Sequence, residues 1–342
     1  MRYTYFLIVF ILPIGMMAQN GGKSAFQFLN IECSPRVEAL GGYAIAIFDD
    51  DVGLSQTAPS LLNQDMHNEI SFTYGDYFSD ISLLSFSYAN KYKNFGVIGV
   101  SLKAISYGVF DRNDANGNNN GTFSANDQLL TLGIGKQING FWYLGLNLNL
   151  INSNYDTYSS SALSSNISAT YNHEEKKITS TILIKNIGRQ LTSYTSKIEN
   201  LPYEIQAAIS KELLHLPLRY HLTYNNINIF DIKSSYKLLN QTNILTGDVE
   251  LKEESFGKTF LRHIIIGAEL NPFRRNLFIR SGFNFQRRFD LSTITKPSLV
   301  GFSFGIGFRV SKYHFDYSRS SYHLAGTPNN FSIATNLSTF GF

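Results

Sequence analysis

Segment after segment of this chain alternates apolar and polar side chains with a period of two, and that period dictates strands. Trp142, Leu144, Leu146, Leu148 and Leu150 are apolar, with Gly145, Asn147 and Asn149 between them. Phe302, Phe304, Ile306 and Phe308 alternate with Ser303, Gly305, Gly307 and Arg309. Leu218, Tyr220, Leu222 and Tyr224 alternate with Arg219, His221, Thr223 and Asn225, and Tyr313, Phe315 and Tyr317 with His314 and Asp316. Successive strand residues point to opposite faces, whereas a helix would scatter every one of these stripes around its circumference. Fourteen strands are expected, at 69–77, 81–89, 94–107, 125–137, 141–154, 162–172, 177–187, 202–212, 216–227, 259–271, 275–286, 299–310, 312–319 and 329–341. Most run to about 9–13 residues, which suits a tilted strand crossing a bilayer and exceeds the roughly five or six of a soluble strand.

The connections alternate as well. Those after even strands are short: Asn90–Asn94, Ile138–Gly140, His173–Lys176, Leu213–His215, Pro272–Arg274 and Ser311. Those after most odd strands are long and polar: Gly108–Ser124, Tyr155–Ser161, Gly188–Leu201, Asn228–Lys258, Arg287–Ser298 and Ser320–Pro328. A membrane barrel has tight periplasmic turns and longer outer loops, and an even strand count places both chain ends on the periplasmic side. A soluble sandwich would carry far more Lys and Glu on its outer faces, and a propeller would repeat every 40–50 residues or so, which this chain does not. Charged residues make up only 16% and aromatics 14%, with 27 Phe and 20 Tyr, while the mean hydropathy of −0.10 excludes a bundle of membrane helices. A net charge of +3, scattered, does not suit nucleic acid. The fold class is therefore all-β: a 14-stranded antiparallel transmembrane β-barrel.

Ahead of the strands, residues 1–18 read as a signal peptide, with Arg2 as its positive start and Phe6–Ala18 as an apolar run too short to span as a helix. The preferred cleavage site follows Ala18, and the chain's single cysteine, Cys33, excludes an internal disulfide framework. Residues 19–68 read as a plug segment of helix-and-turn character, and 69–342 as the outer-membrane barrel. Within the plug, Arg36 to Leu62 holds the Gly41-Gly42 pair, three carboxylates at Asp49, Asp50 and Asp51, and the Pro59 turn. If the apolar stripes face lipid, the lumen receives Lys103, Lys185, Arg219, Arg280 and Arg309 against Glu204, Glu269 and Asp316, together with His221, His263 and His314. Two readings of Asp49–Asp51 stay open: they pair with lumen arginines, whose planar fork binds carboxylates bidentately, or they form a solvated turn capping a short helix.

Catalytic and metal signatures are weak. The tetrads Ser234–Lys237 and Ser255–Lys258 match SxxK without its companion elements. Gly133-Ile134-Gly135 and Gly305-Ile306-Gly307 read as strand glycines beneath neighbouring aromatics, since no helix follows to make a phosphate cradle. The seven histidines lack metal-ligand spacing. The run Asp111–Asn118 is dense in oxygen ligands but lacks the position-twelve Glu of an EF-hand, so it reads as a solvated hairpin loop. No cofactor, metal or catalytic set is expected. Phe340 and Phe342 end the chain in the manner of outer-membrane barrels, although Phe331, Ile333 and Leu337 fall on the other parity, which a β-bulge near Ser338 or Thr339 would reconcile.

Several short motifs carry a family resemblance. They are Ser24–Asn30, Pro35-Arg36, Ala39–Gly42, Asp49–Val52 and Pro59–Leu62, the last preceded by Thr57-Ala58 in place of Asn-Pro. Further on come Gly108–Asp111, Asn116-Gly117, Gly121–Ser124, Lys185–Gly188, Leu201–Gln206 and His221–Asn226. With these the chain resembles the PorQ family of the type IX secretion system of Bacteroidetes, within the fatty-acid-transporter-like (FadL-like) barrel group that includes PorV. The resemblance implies a non-enzymatic barrel of the cell outer membrane that holds a PorZ-like surface protein beside PorU- and PorV-like proteins. That attachment complex joins cargo to lipopolysaccharide. The expected partner-docking loops include Asp111, Asn113, Asp114, Asn116, Arg287 and Arg288. The alternative function is a FadL-like transporter of small hydrophobic compounds.

Overall fold

All fourteen expected segments form strands in the computed structural model, which describes residues 24–93, 95–232, 255–273, 276–292, 299–322 and 326–341. They are β1 (Glu69–Asp76), β2 (Ser82–Tyr92), β3 (Gly96–Asn113), β4 (Asn119–Gln137), β5 (Trp142–Tyr155), β6 (Tyr158–His173) and β7 (Ile178–Thr192). β8 (Glu204–Glu212), β9 (Leu218–Tyr224), β10 (Ile264–Leu270), β11 (Leu277–Asn284), β12 (Phe302–Val310), β13 (Tyr313–Ser320) and β14 (Asn329–Asn336) follow. Neighbours in sequence pair antiparallel, and β1 closes on β14 with Glu69 opposite Asn336 and Asp76 opposite Asn329. Closure satisfies the backbone polar groups within the sheet, the condition for strands to cross a bilayer. Leu144, Leu146, Leu148 and Leu150 of β5 lie 43–47% exposed on the outside, whereas Asn147 and Asn149 between them are buried within. Tyr92, Phe95, Phe141, Trp142, Tyr313 and Phe340 add exposed aromatics beside the short turns, as at a membrane interface. No described helix is long and apolar enough to cross a membrane.

The strand ends differ from the expected ones in physically instructive ways. Gly108–Ser124 is not a loop. β3 and β4 run on through it as a two-stranded ribbon, with Asp111 and Asn113 on β3 and Asp114 and Asn116 in the tip. Tyr155–Ser161 is likewise no long loop but a two-residue turn, which Asp156 makes possible by adopting a φ of 55°. Residues 259–263 are not strand: Phe256–Arg262 is a short helix, with His263 at its end. Phe285–Leu291 is a second short helix, because Asn284 accepts a hydrogen bond from the Arg287 amide and caps it. At the C-terminus no bulge restores the parity. β14 stops at Asn336, whose side chain accepts from the Ser338 amide and starts a 3-10 turn over Leu337–Phe340. Most of the Asn228–Lys258 connection, the Ser234–Lys237 tetrad, residues 293–298 and the expected signal peptide fall outside the described residues.

Residues 24–68 lie inside the barrel. Ser34 accepts a hydrogen bond from the Val37 amide and Pro35 occupies the first turn, which together start α1 (Pro35–Ala39). Gly41 and Gly42 stop it at φ of 99° and 89°, values that ordinary side chains resist. Short 3-10 turns follow at Val52–Gln56, Pro59–Leu61 and Gln64–Met66. The core is thus not between two sheets but between this segment and the wall. Val37, Leu40, Ala44, Ile45, Ile47, Leu54, Ala58 and Leu61 pack with Leu183, while Phe26, Phe28 and Leu29 pack with Leu83, Ile105, Leu129 and Ile151.

Candidate functional site

The plug is held at three levels, each built from a different kind of contact. The first is an ion cluster at the short-turn end. The Arg36 guanidinium donates to Asp49 at 2.7 and 3.0 Å, to Asp51 at 3.4 Å and to Glu269 of β10 at 3.0 and 3.1 Å. Arg219 of β9 reaches Asp49 and Glu269 at 3.3 Å each, and Arg280 of β11 donates to Glu269 at 2.7 Å and to Asp316 of β13. Asp50 faces outward and pairs with Arg309 at 2.7 Å, both about 40% exposed. The three carboxylates therefore meet basic groups, but their centre is the plug's own Arg36 rather than the wall arginines alone.

Burial and an excess of acids over bases act together on the carboxylates of this rim. Four bases (Arg36, Arg219, Arg280 and Lys177) face five carboxylates (Asp49, Asp51, Glu269, Asp316 and Glu212). Burial would raise Asp49, yet Arg36 and Arg219 hold its carboxyl well below the ordinary range. Asp51 is the surplus acid. Burial pushes it up to about 6, opposed by Arg36 and reinforced by Asp49. Its other oxygen caps the following 3-10 turn by accepting from the Gly53 amide at 3.0 Å.

The second level uses lumen-facing amides and hydroxyls as substitutes for backbone partners. Asn147 donates to the Ser55 and Gln56 carbonyls at 3.1 and 2.8 Å, and Asn166 to the Thr57 carbonyl at 3.3 Å. Ser168 accepts from the Ser60 amide at 2.8 Å, Thr223 donates to the Tyr43 carbonyl at 2.7 Å, and Ser210 to the Ala46 carbonyl at 2.5 Å. An irregular segment buried in a lumen needs such partners for each of its peptide groups. Glycines make the approach possible. A Cβ on Gly135 would sit 2.5 Å from Leu62, and one on Gly145 would strike the Pro59–Ser60 peptide. Across the lumen, a Cβ on Gly305 would sit 2.5 Å from Ala39, and one on Gly282 would strike the Leu40–Gly41 peptide. Gly135 and Gly305 are therefore seats for the plug, where the sequence suggested cover by aromatics, while Gly133 faces Asn147 first and then Leu62.

The third level lies toward the long connections. Glu38, buried on α1, accepts from Arg287 at 3.2 and 3.3 Å, from Tyr322 at 2.8 Å and from Ser320 at 2.7 Å. Arg287 is thus turned inward onto the plug and is not part of an outward docking loop, because the helix over Phe285–Leu291 aims it at a buried carboxylate. Arg288 lies half-buried and donates to the Val300 carbonyl. Lys103, buried, donates to the Phe28 and Ile31 carbonyls, and Lys185 stands 3.9 Å from Glu204. His221 faces the lumen on β9, His314 lies 3.5 Å from Asp316, and His263 bonds the Asn225 and Phe230 carbonyls from outside any strand. At the ribbon tip Asp114 accepts from the Asn116 and Asn118 amides at 2.8 and 2.9 Å and from the Asn118 side chain at 3.0 Å, bonds that lower its pKa.

Glu38, Tyr322, Asn166, Gly145 and Gly282 were not among the residues singled out from the sequence, and Gly133, Gly135 and Gly305 were read there only as strand glycines. Asn147 and Asn166 could have been found there, since inward-facing Asn on an otherwise Ser-, Thr- and Gly-rich face asks for a partner. Between plug and wall, a cavity of about 40 Å³ is lined by Glu32, Lys103, Lys185 and Gln206. It is too small for an organic ligand.

No family model matches the chain, and no curated protein does. Solved barrels share its fold. The toluene transporter TodX of Pseudomonas putida superposes with a TM-score of 0.51 at 10% identity, over 88% of this chain and 96% of that one. A FadL homologue of Pseudomonas aeruginosa gives 0.51 at 8% identity, over 89% and 98%. A TodX variant described as a monoaromatic hydrocarbon channel gives 0.51 at 10% identity, over 90% and 100%. At these identities the likeness concerns the fold: this chain is built as the FadL-like outer-membrane barrels are.

Proposed function

We propose that this protein is a non-enzymatic outer-membrane anchor of type IX secretion, with its lumen permanently closed by the plug. Its long-connection face holds a PorZ-like partner, alongside PorU- and PorV-like proteins, in the complex that joins cargo to lipopolysaccharide. The observation that carries the reading is the double clasp: Arg36 locked into Glu269 and Asp49 at one rim, Glu38 locked into Arg287 and Tyr322 toward the other. A barrel whose task is mechanical gains from a filled, rigid interior, whereas a conduit needs a path. The resemblance of its motifs to the PorQ family points to that system, and among the described residues the β3–β4 ribbon extends the wall beyond its pairing with β2 and β5.

A second reading has a specific observation behind it. The fold shared with TodX and the FadL homologue favours a carrier of small hydrophobic compounds. That reading requires the plug to shift and an apolar pocket to open. The lumen wall is faced mostly with Ser, Thr, Asn, Lys and Arg, and its apolar patches at Leu83, Ile105, Leu129 and Ile151 and at Leu183 are covered by the plug.

Chromosomal deletion separates the two. The anchor reading expects the surface-bound partner and cargo attachment to be lost while uptake of hydrophobic compounds stays normal. Retained attachment with impaired uptake would overturn it in favour of the carrier.

A further inference from the structure

Strands β7 and β8 meet the plug across a gap. β6 and β7 fall out of register between Ser165 and Ile167, and there Asn186 takes a φ of 57°. The two neighbours Lys185 and Asn186 are consequently both buried on the lumen side, where a regular pleat would send one of them outward. Opposite this bulge the plug offers Gln56, Thr57 and the turn around Glu32. The cavity of about 40 Å³ lies between them.

Its surroundings carry polar atoms that the protein itself does not satisfy. Gln206 of β8 is 1% exposed, and neither its Oε1 nor its Nε2 has a hydrogen-bond partner within the protein. On the plug side, the Gln56 Nε2 is also buried and unpartnered. Lys185 stands 3.9 Å from Glu204 Oε2, beyond direct hydrogen bonding, and Glu204 Oε1 is buried without a partner. A buried polar atom left unmet forfeits its hydration in full, so such atoms gathered around one cavity call for a ligand.

The mixture of donors and acceptors decides which ligand. A cation would suit the Gln206 carbonyl and Glu204 but would lie against Lys103, Lys185 and the amide hydrogens. An anion would meet the converse conflict with Glu32 and Glu204. The formal charges of the two lysines and two glutamates cancel, which leaves no field to hold either ion. Water both donates and accepts, and a volume of about 40 Å³ admits about two or three molecules.

We infer that this cavity is a buried-water site, whose small water cluster joins Lys185, Glu204 and Gln206 of the wall to Gln56 of the plug. The plug is thus fastened in two ways. Ion pairs hold it at Arg36 and Glu38, and solvent bridges extend the direct bonds of Asn147 and Asn166 toward β7 and β8. A water bridge is nearly as good as a direct hydrogen bond in enthalpy, so the fit here does not require touching surfaces. The site is the same whether the barrel anchors a partner or carries a compound.

A crystal structure of the full barrel, at a resolution that shows ordered solvent, tests this together with the variants Gln206→Leu and Gln206→Asn. In the parent, discrete solvent peaks are expected within hydrogen-bond reach of the Gln206 amide, Gln56 Nε2 and Lys185. Gln206→Leu should lose the peaks beside position 206, and Gln206→Asn, whose shorter amide leaves more room, should keep them. Stability gives an independent reading. A Gln206 satisfied by water loses those bonds on change to Leu, so the urea midpoint of unfolding is expected to fall, and to fall less for Asn. An amide left unmet in a dry cavity would be relieved by Leu, and the midpoint would rise. That rise, a cavity without solvent density in the parent, or a peak with an anomalous signal after bromide or rubidium soaking would each overturn the inference. Heat-dependent electrophoretic mobility, run on each variant, confirms that the species compared is the folded barrel.

Discussion

Arg36 spends one guanidinium on three carboxylates, two from its own segment and one from the wall. Removing it leaves Asp49 and Glu269 short of their principal partner in a water-poor interior, where an uncompensated charge is costly. Arg36→Ala is expected to lower unfolding stability in urea by about 3–5 kcal/mol. Asp50→Asn, at the half-exposed pair with Arg309, should cost no more than about 1 kcal/mol. A comparable loss for both would mean that the buried cluster has no special role. Asp51 titrates in the opposite sense. Its folded pKa of about 6 lies above the ordinary 3.8, so between those values the folded protein holds a proton that the unfolded chain releases. Stability from this group is therefore lost as pH rises through that window. Asp51→Asn should raise the melting temperature at pH 8 and leave it nearly unchanged at pH 4, with Asn still able to cap Gly53. An Asp51→Asn protein less stable at pH 8 than at pH 4, relative to the parent, would contradict the surplus-acid account.

Among elements, the ribbon and the glycine seats behave differently under mutation. β2 pairs with β3 only as far as Ser106, and β5 with β4 only from Ala125, so residues 107–113 and 119–124 have no partners but each other in the sheet. Replacing Val109–Phe123 by Asn-Gly should leave the heat-modifiable mobility of the barrel intact, while abolishing partner retention if the ribbon is the docking element. Gly145→Leu should do the reverse. The added side chain has nowhere to go but into the Pro59–Ser60 peptide, and the expected result is a plug that limited proteolysis can reach.

These elements also show where sequence reading succeeds and stops. Leu144, Leu146, Leu148 and Leu150 announce β5 because one face meets lipid and the other does not. The ribbon beyond Ser106 meets water on both faces, loses that contrast, and reads as loop. The helix at Phe256–Arg262 escaped because seven residues offer too little periodicity to tell it from a strand start. The glycines were legible as strand glycines but not as seats: Gly135 and Gly305 acquire that meaning only once the plug is folded against them. The inward charges were legible by parity, yet which of them meets which depends on the path of residues 24–68.

Over the whole molecule, fourteen strands close around a plug clasped toward both rims, and the proposed anchor role requires that nothing passes between them. Parity placed Lys103, Arg219, Glu269 and Arg280 inside, and the plug supplies opposite charges and backbone groups that pair with Lys103, Arg219 and Glu269 across the lumen, while Arg280 meets Glu269 on the wall. Conductance across a planar bilayer tests this most directly, comparing the intact protein with a variant lacking residues 26–64. The intact protein is expected to be electrically silent under moderate voltage, and the shortened one to open in large, uniform steps. Steady steps of that same size from the intact protein would contradict the claim.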